Sequence, residues 1–505
     1  MNETVKARSL APEVGSFIGS LHRDLDAQRM DLLHKRIARR KQLSDGEVDH
    51  LADTLPVRQG KWKVDPMVEE AMERRVELIG GTTRSELING LNAGAKSYIA
   101  DLWNFTAQDT WSILRAHRSL TGAAKLDLAY LDVREGRVRV NPNSTTRSYL
   151  VPRPLYVHEG ALLVNDDPVS AGAFDLSVAL LSHGRVLFER QGFIGLYLRD
   201  VHGHLEARHW VQMIQRIEEY LDLPQGAVRA TVMIDTIAGA LEAEEILFEL
   251  MHHSAGLSLD PQAYAADHIA LFHGPDIAVL PDRETIGLNA PMLRALSLYT
   301  IGICHRRGCH AMGAPSFVLP AIDHDKVKTE YLEMLADKER EAVDGHDGTL
   351  VVHEDMVNAS MVEFNKSMPR AHQMGYQRND TITPADLIRR PEGSISVESL
   401  KSILRTAFRS LTQRDEGKGW VIQGGRIHDR SSLLLAIRLL WQWNHSSQGI
   451  ITATNFPVTA DLIGFMLKKE ADKMFDMNDP AIKKRVEKAM AHIMEMAIGE
   501  GVPMV

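Results

Sequence analysis

Three times in the first half of the chain a short apolar run ends on an aspartate. These runs are Ser97-Tyr98-Ile99-Ala100-Asp101, Gly195-Leu196-Tyr197-Leu198-Arg199-Asp200 and Ala230-Thr231-Val232-Met233-Ile234-Asp235. A strand buried on both faces reads as a continuous apolar run rather than an alternation. The second run leads into a helical pattern beginning near His204, and the third into one over Leu241 to His253. His268 to Phe272 and Leu350 to Val352 read as further short strands. Strand, polar residue at its C-terminal end, then helix, repeated over roughly 250 residues, predicts an α/β fold of the (β/α)8 TIM-barrel class. Barrel chemistry sits at strand C-termini, so Asp101, Asp200 and Asp235 carry more weight than other acids. Each of them could equally serve only as a helix N-cap.

The flanks read differently. Residues 1–90 are expected to form an N-terminal helical clasp, with helices over Arg29 to Lys41 and Pro66 to Ile79, the latter stopped by Gly80-Gly81. The barrel is expected over 91–360, interrupted near 125–165 by a small β-rich insertion. There Val138 to Asn143 looks like a strand and turn. Tyr149 to Pro154 looks like an extended edge, because Pro152 and Pro154 cannot pair centrally. Residues 361–505 are expected to form a C-terminal helical plug, with amphipathic helices over Leu462 to Asp472 and Asp479 to Ile498. Their methionines fall at helical spacing and read as core.

Composition removes several function classes. The net charge of -9 argues against a nucleic-acid binder, which carries a basic surface. The basic run from His34 to Lys41 is expected to be the solvated face of a helix. No apolar run approaches the length of a membrane span. Two cysteines make no disulfide framework, and the C-terminal Pro503-Met504-Val505 is not a peroxisomal address, so the cytoplasm is the expected compartment.

Cys304-His305-Arg306-Arg307-Gly308-Cys309-His310-Ala311-Met312-Gly313 is the densest cluster of reactive side chains. The ligand spacing of zinc sites is absent, and neither thiol has a base assured to it. The segment instead resembles the CHRRGAHAMGG signature of A-type malate synthases, with Cys309 where that family usually has Ala. His204-Leu205-Glu206-Ala207-Arg208 resembles its SHLEAR block, with Gly203 for the Ser. Leu280-Pro281-Asp282-Arg283, Gly345-His346-Asp347-Gly348-Thr349 and Leu440-Trp441-Gln442-Trp443 follow in the family's order.

The resemblance implies condensation of acetyl-CoA with glyoxylate, then hydrolysis of the malyl-CoA thioester. That chemistry needs a base for a weakly acidic methyl group, and positive charge where enolate and alkoxide develop. Asp429 falls on the family's catalytic Asp, with His428 and Leu433-Leu434 as changed neighbours. Arg153 falls on its catalytic arginine, with Leu155 replacing a second Arg. Magnesium is implied, with Asp235, in Ile234-Asp235-Thr236 where the family has I-E-T, as one ligand. An ungapped count puts the second on Ala263. Four extra loop residues put it on Asp267, the preferred register, and Asp260 is a weaker substitute. The first strand keeps only Asp101 of the family's acids, followed by Leu102-Trp103-Asn104, and Y-L-P-K-M-E-S-H has become Tyr197 to His204. Two rivals remain: a diverged relative using another 2-oxo acid or acyl-CoA, and a non-catalytic CoA-binding homologue.

Overall fold

The computed structural model describes residues 10–134, 136–320, 325–412 and 417–504. Eight parallel strands form the core: β1 (Val76–Gly80), β2 (Ser97–Asp101), β3 (Arg147–Val151), β4 (Ile194–Leu198), β5 (Val228–Ile234), β6 (Ser254–Leu259), β7 (Met312–Ser316) and β8 (Gly348–Val351). Neighbours pair in the order β6-β5-β4-β3-β2-β1-β8-β7. The ring closes where Leu257 of β6 bridges Ala311, just before β7. This is the expected (β/α)8 barrel.

Two apolar layers hold it. Ile79, Ile99, Tyr149, Tyr197, Met233, Ala255, Met312 and Leu350, one from each strand, share an inner cluster. Alternate residues such as Leu78, Ala100, Leu150, Leu196 and Val232 belong to the larger cluster that includes the surrounding helices. Alternation within strands buried on both faces produces the two layers. A charged group closes the inner layer at the strand N-terminal end. Arg74 is fully buried, donates to both carboxylate oxygens of Glu77 at 2.9 and 3.0 Å, and reaches the Ala255 carbonyl, the Tyr197 hydroxyl and Thr231.

Several elements differ from the sequence expectation. Pro66 to Ile79 is not a helix: a 3-10 turn at Glu69–Ala71 leads into β1, which lies inside the segment assigned to the clasp. Arg74 and Glu77, which fall in the segment expected to be helical, satisfy each other inside the barrel. Tyr149 lies in β3, a central strand paired to both β2 and β4. Pro152 and Pro154 fall just beyond the strand's last residue, where no ladder hydrogen bond is lost. His268 to Phe272 is not a strand; His268 belongs to the helix Pro261–Leu271, capped by Asp260, whose carboxylate accepts from the amides of Gln262 and Ala263.

β6 and β7 are not read from the sequence, and β6 is hidden behind small residues. Gly256 has φ +110°, and a Cβ there would stand 1.9 Å from the His310 carbonyl oxygen. The barrel closes at this glycine because nothing larger fits. The Cys304–Gly313 motif supplies the other side of the seam. Helix Pro291–Arg307 ends at Gly308, in the left-handed conformation, and Cys309 and His310 lead into β7. Asp347 accepts from His305 Nε2 at 3.1 Å and from the Ala311 amide at 2.8 Å, so the two signature blocks at 304–313 and 345–349 lock to each other.

The other expected helices of the flanks are present, but the basic run differs from its expectation. A 33-residue helix, Pro12–Ser44, contains the expected Arg29 to Lys41 segment. Helix Ala460–Met474 contains the first of the two expected near the C-terminus, and Pro480–Ile498 matches the second with Asp479 as its N-cap. The basic run is only partly solvated. Arg36 donates to both oxygens of Glu206 and to the side chain and carbonyl of Asp200, and Arg40 donates to Asp267. Lys35 and Lys41, on the other face, are exposed at 60% and 74%. Among the described residues no helix is long and apolar enough to cross a membrane.

Candidate active site

Five charged groups meet at the C-terminal rim of the barrel. Asp101 ends β2, Arg199 follows β4, Asp235 follows β5 and Asp260 follows β6. Asp429 comes from outside the barrel, as the N-cap of helix Arg430–His445, where its Oδ1 accepts the Ser432 amide at 2.9 Å. A continuous polar chain joins four of them, all but Asp235. Asn104 Nδ2 donates to Asp429 Oδ2 at 3.2 Å and to Ser431 Oγ at 2.7 Å. Ser431 Oγ donates to Asp260 Oδ2 at 2.9 Å, which also accepts from Arg199 Nη1 at 2.6 Å. Arg199 Nε stands 3.3 Å from Asp101 Oδ2, close enough for an ion pair but not aligned as a hydrogen bond.

These groups are almost wholly withdrawn from water: Asp101 and Asp260 are 0% exposed, Asp429 1%, Arg199 4% and Asp235 6%. Burial and the nearby Asp260 carboxylate push the Asp429 carboxyl up to about 7, against the opposing pull of the Ser432 amide and Arg199. Burial also raises Asp101. Asp235 is driven well above the usual carboxylate range by burial and by Asp200, whose amide bonds both Asp235 oxygens at 2.9 and 3.1 Å. Burial opposes ionisation of Asp200 too, but Arg36 and His202 outweigh it and hold that carboxyl low. Asp200 itself adopts φ +54°, a left-handed conformation rare for a residue with a side chain, and Asp235 pins its amide there.

The expected site residues separate into two groups. Asp429 and Asp235 reach this cluster, with Asp101 and Asp260. Arg153 follows β3, but its guanidinium is spent elsewhere: Nε and Nη2 meet the two oxygens of Asp175 at 2.8 Å, and Nη1 meets Glu159 at 2.9 Å. Asp267 lies mid-helix, with one oxygen on Arg40 and the other on the Ile237 amide at 2.9 Å. The four-residue shift put Asp267 at the opening of a strand; that segment is helical, and the acid that follows a barrel strand is Asp260, after β6.

The carboxylates do not fit magnesium. The ion needs near-octahedral oxygens at about 2.0–2.1 Å. Here Asp267 has no uncommitted oxygen, and both oxygens of Asp235 accept one main-chain amide. One oxygen of Asp101 takes the amides of Trp103 and Asn104, and the other faces a guanidinium. No group of three histidine, cysteine or carboxylate side chains among the described residues is arranged to hold a metal ion.

Arg199, Asn104 and Ser431 were not singled out from the sequence. Arg199 had a signal, a cation immediately after an apolar strand and beside Asp200. Asn104 and Ser431 had none, since amides and hydroxyls near strand and helix ends are ordinary caps. Above the cluster lies a half-buried rim. Trp103 and Tyr156 meet edge to face at 6.1 Å between centroids, Arg430 stacks 3.9 Å over the Trp103 ring, and Arg36 lies 5.6 Å over Tyr156.

A cavity of about 470 Å³ opens beside Asp429, between β7, the C-terminal helices and the strand that carries His428. Arg283, of the Leu280-Pro281-Asp282-Arg283 block, lines it and donates to the neutral partners Gln262 and Ser432, while its buried Nη1 has no acceptor. His428, the other neighbour of Asp429, is held neutral by burial and by Arg283, well below its ordinary value.

Residues 149–390 match the family model "Malate synthase, TIM barrel domain". A malate synthase of Streptomyces clavuligerus is 31% identical over 459 residues, covering 88% of this chain and 84% of that protein. Malate synthase A of Escherichia coli K12 is 27% identical over 465 residues, covering 91% and 87%, in line with the A-type resemblance. Among solved structures, a Haloferax volcanii malate synthase in a pyruvate/acetyl-CoA ternary complex aligns with TM-score 0.48 and 12% identity, over 84% of this chain and 99% of that one. With nearly the whole length matched to the Streptomyces clavuligerus protein at that identity, the chain belongs to the malate synthase family.

Proposed function

We propose that the protein is a malate synthase-like acyltransferase, which condenses the acetyl group of acetyl-CoA with glyoxylate or a related 2-oxo acid and hydrolyses the thioester. The observation that carries this reading is Asp429. It is a carboxylate fixed by two hydrogen bonds, buried at the barrel rim, pushed up to about 7 and seated beside a cavity. A base works best when its pKa lies near the operating pH, because it is then both available and strong enough to take the proton. In this reading Asp429 takes a proton from the acetyl methyl, and the resulting enolate carbon attacks the 2-oxo carbon. The 470 Å³ cavity receives the acyl-CoA, with the unspent Arg283 Nη1 facing its polar groups.

The acceptor lies under the Trp103–Arg430 rim, where Arg430 offers a guanidinium to a carboxylate and Trp103 limits bulk. Arg153, neutralised by two acids, acts from behind: it braces the start of helix Ala171–Gln191 against the loop after β3. The expected magnesium pair of Asp235 and Asp267 is not used in this reading. Two buried free cysteines are consistent with a cytoplasmic protein.

The test is thiol release from acetyl-CoA by the purified protein with a panel of 2-oxo acids that includes glyoxylate. Turnover with glyoxylate is expected. Turnover with a different acid alone would move the assignment to a diverged specificity, and silence across the panel with CoA still bound would defeat it.

A further inference from the structure

Arg199 is the only cation among the five charged groups at the barrel rim. Its guanidinium sits 4% exposed among Asp101, Asp260 and Asp235, the acids at the ends of β2, β6 and β5. A buried arginine between carboxylates is common as a structural tie, but a tie satisfies its donors. Here Nη1 is committed to Asp260 at 2.6 Å, while Nε is buried without an acceptor. The carboxylates show the complementary pattern. Asp101 Oδ1 takes the Trp103 and Asn104 amides, and Asp260 Oδ1 takes those of Gln262 and Ala263. Only their Oδ2 atoms face the centre, and both face Arg199.

We propose that the Arg199 guanidinium occupies the place between these carboxylates that a divalent cation would need, so that the protein works without one. Two cations cannot share the position. At the few-ångström separation that common carboxylate ligands would impose, their repulsion in a dry site far exceeds what water would allow. A guanidinium also answers the same chemical demand. It is permanently charged, planar, and presents N–H donors in a fixed fork to an oxyanion. Its permanent charge supplies fixed positive potential at the rim for an incoming carboxylate or a developing enolate oxygen.

The inference rests on the proposed function only in placing the reaction at this rim, and its test needs no turnover. Binding of Mn2+ to the chelator-treated, full-length protein is followed by electron paramagnetic resonance, with Mg2+ as competitor. The unchanged protein is expected to bind no stoichiometric Mn2+ at millimolar concentration. One Mn2+ per chain, displaced by Mg2+, would overturn the proposal, whatever the enzyme does with acetyl-CoA. Arg199→Met frees the inward oxygens of Asp101 and Asp260, and is expected to bind Mn2+ at least tenfold more tightly than the parent; a folded variant with parental affinity would also overturn it. If that variant does not fold, the unchanged protein's Mn2+ titration decides alone. Failure of thiol release across the 2-oxo acid panel bears on the function, and Mn2+ binding bears on Arg199, so the two failures are distinguishable.

Discussion

Asp429 does two jobs with one carboxylate. Its Oδ1 caps a helix, an ordinary role for an aspartate before Arg-Ser-Ser, while Oδ2 is held by Asn104 at the centre of the site. Because the carboxyl is pushed up to about 7, it is protonated and inert as a base below that pH. kcat/KM is therefore expected to rise roughly tenfold per pH unit up to near neutrality and to flatten above it, since only the ionised form takes the methyl proton. Asp429→Asn removes the proton acceptor at constant volume. Deuterium exchange into the acetyl methyl is expected to fall at least ~10²-fold with acyl-CoA binding retained. Exchange at the parental rate would reassign the base. Arg153 carries a different expectation. Burial opposes charge on Asp175, but Arg153, with its hydrogen bonds, and His117 hold that carboxyl down to about 2. A depressed pKa contributes stability that is fully present above the unfolded value of 3.8 and is lost as pH falls through the folded one. Arg153→Met removes the guanidinium shared by two buried acids and is expected to cost about 3–5 kcal/mol at neutral pH in urea unfolding. The gap between parent and variant is expected to narrow as pH falls from 4 to 2; a constant gap would mean that the pair is not what sets the stability.

At the scale of elements, the seam between β6 and β7 decides whether the barrel closes. Gly256→Ala puts a methyl group 1.9 Å from the His310 carbonyl, at a φ that only glycine tolerates without strain. Such a substitution destabilises by more than about 1 kcal/mol. The expected result is a lower urea midpoint with an unchanged m-value, together with faster amide exchange across β6 and β7. Legibility in the sequence follows the same seam. β2, β4 and β5 were readable because they are continuous apolar runs leading to an acid. β6 was not, because its small residues are chosen for close approach, a constraint that belongs to the partner strand. The helix carrying Asp267 was misread for a related reason. Its apolar stretch is short and buried all round, so periodicity could not separate helix from strand. That error carried the expected metal ligand to Asp267, while Asp260, the true strand-end acid, stood seven residues earlier in the chain.

For the whole molecule, the barrel is the fixed body and the two flanking regions complete the site from opposite sides. The C-terminal region delivers Asp429, Ser431 and one wall of the cavity. The helix Pro12–Ser44 delivers Arg36 and Arg40, which neutralise Asp200, Glu206 and Asp267 around the rim. Arg36→Met removes a guanidinium that makes four hydrogen bonds and leaves its acids uncompensated. The loss is expected to lower the cost of opening the helix by about 3 kcal/mol, read as roughly hundredfold faster amide exchange over residues 30–44 with the barrel strands unchanged. Equal changes in the strands would mean that helix and barrel open as one unit.

The helix Pro12–Ser44 also sets a timetable for synthesis. Arg36 meets Asp200 and Glu206 across 164 and 170 positions, and Arg40 meets Asp267 across 227. At about 5–20 residues per second, Arg40 leaves the ribosome roughly ten to forty-five seconds before its partner is made. Through that interval the nascent helix carries unmatched positive charge on one face and uncovered apolar side chains such as Ile18, Leu21 and Leu32 on its other sides. A ribosome stalled between residues 206 and 267 would leave the helix half anchored, with the partners of Arg36 made and that of Arg40 still to come.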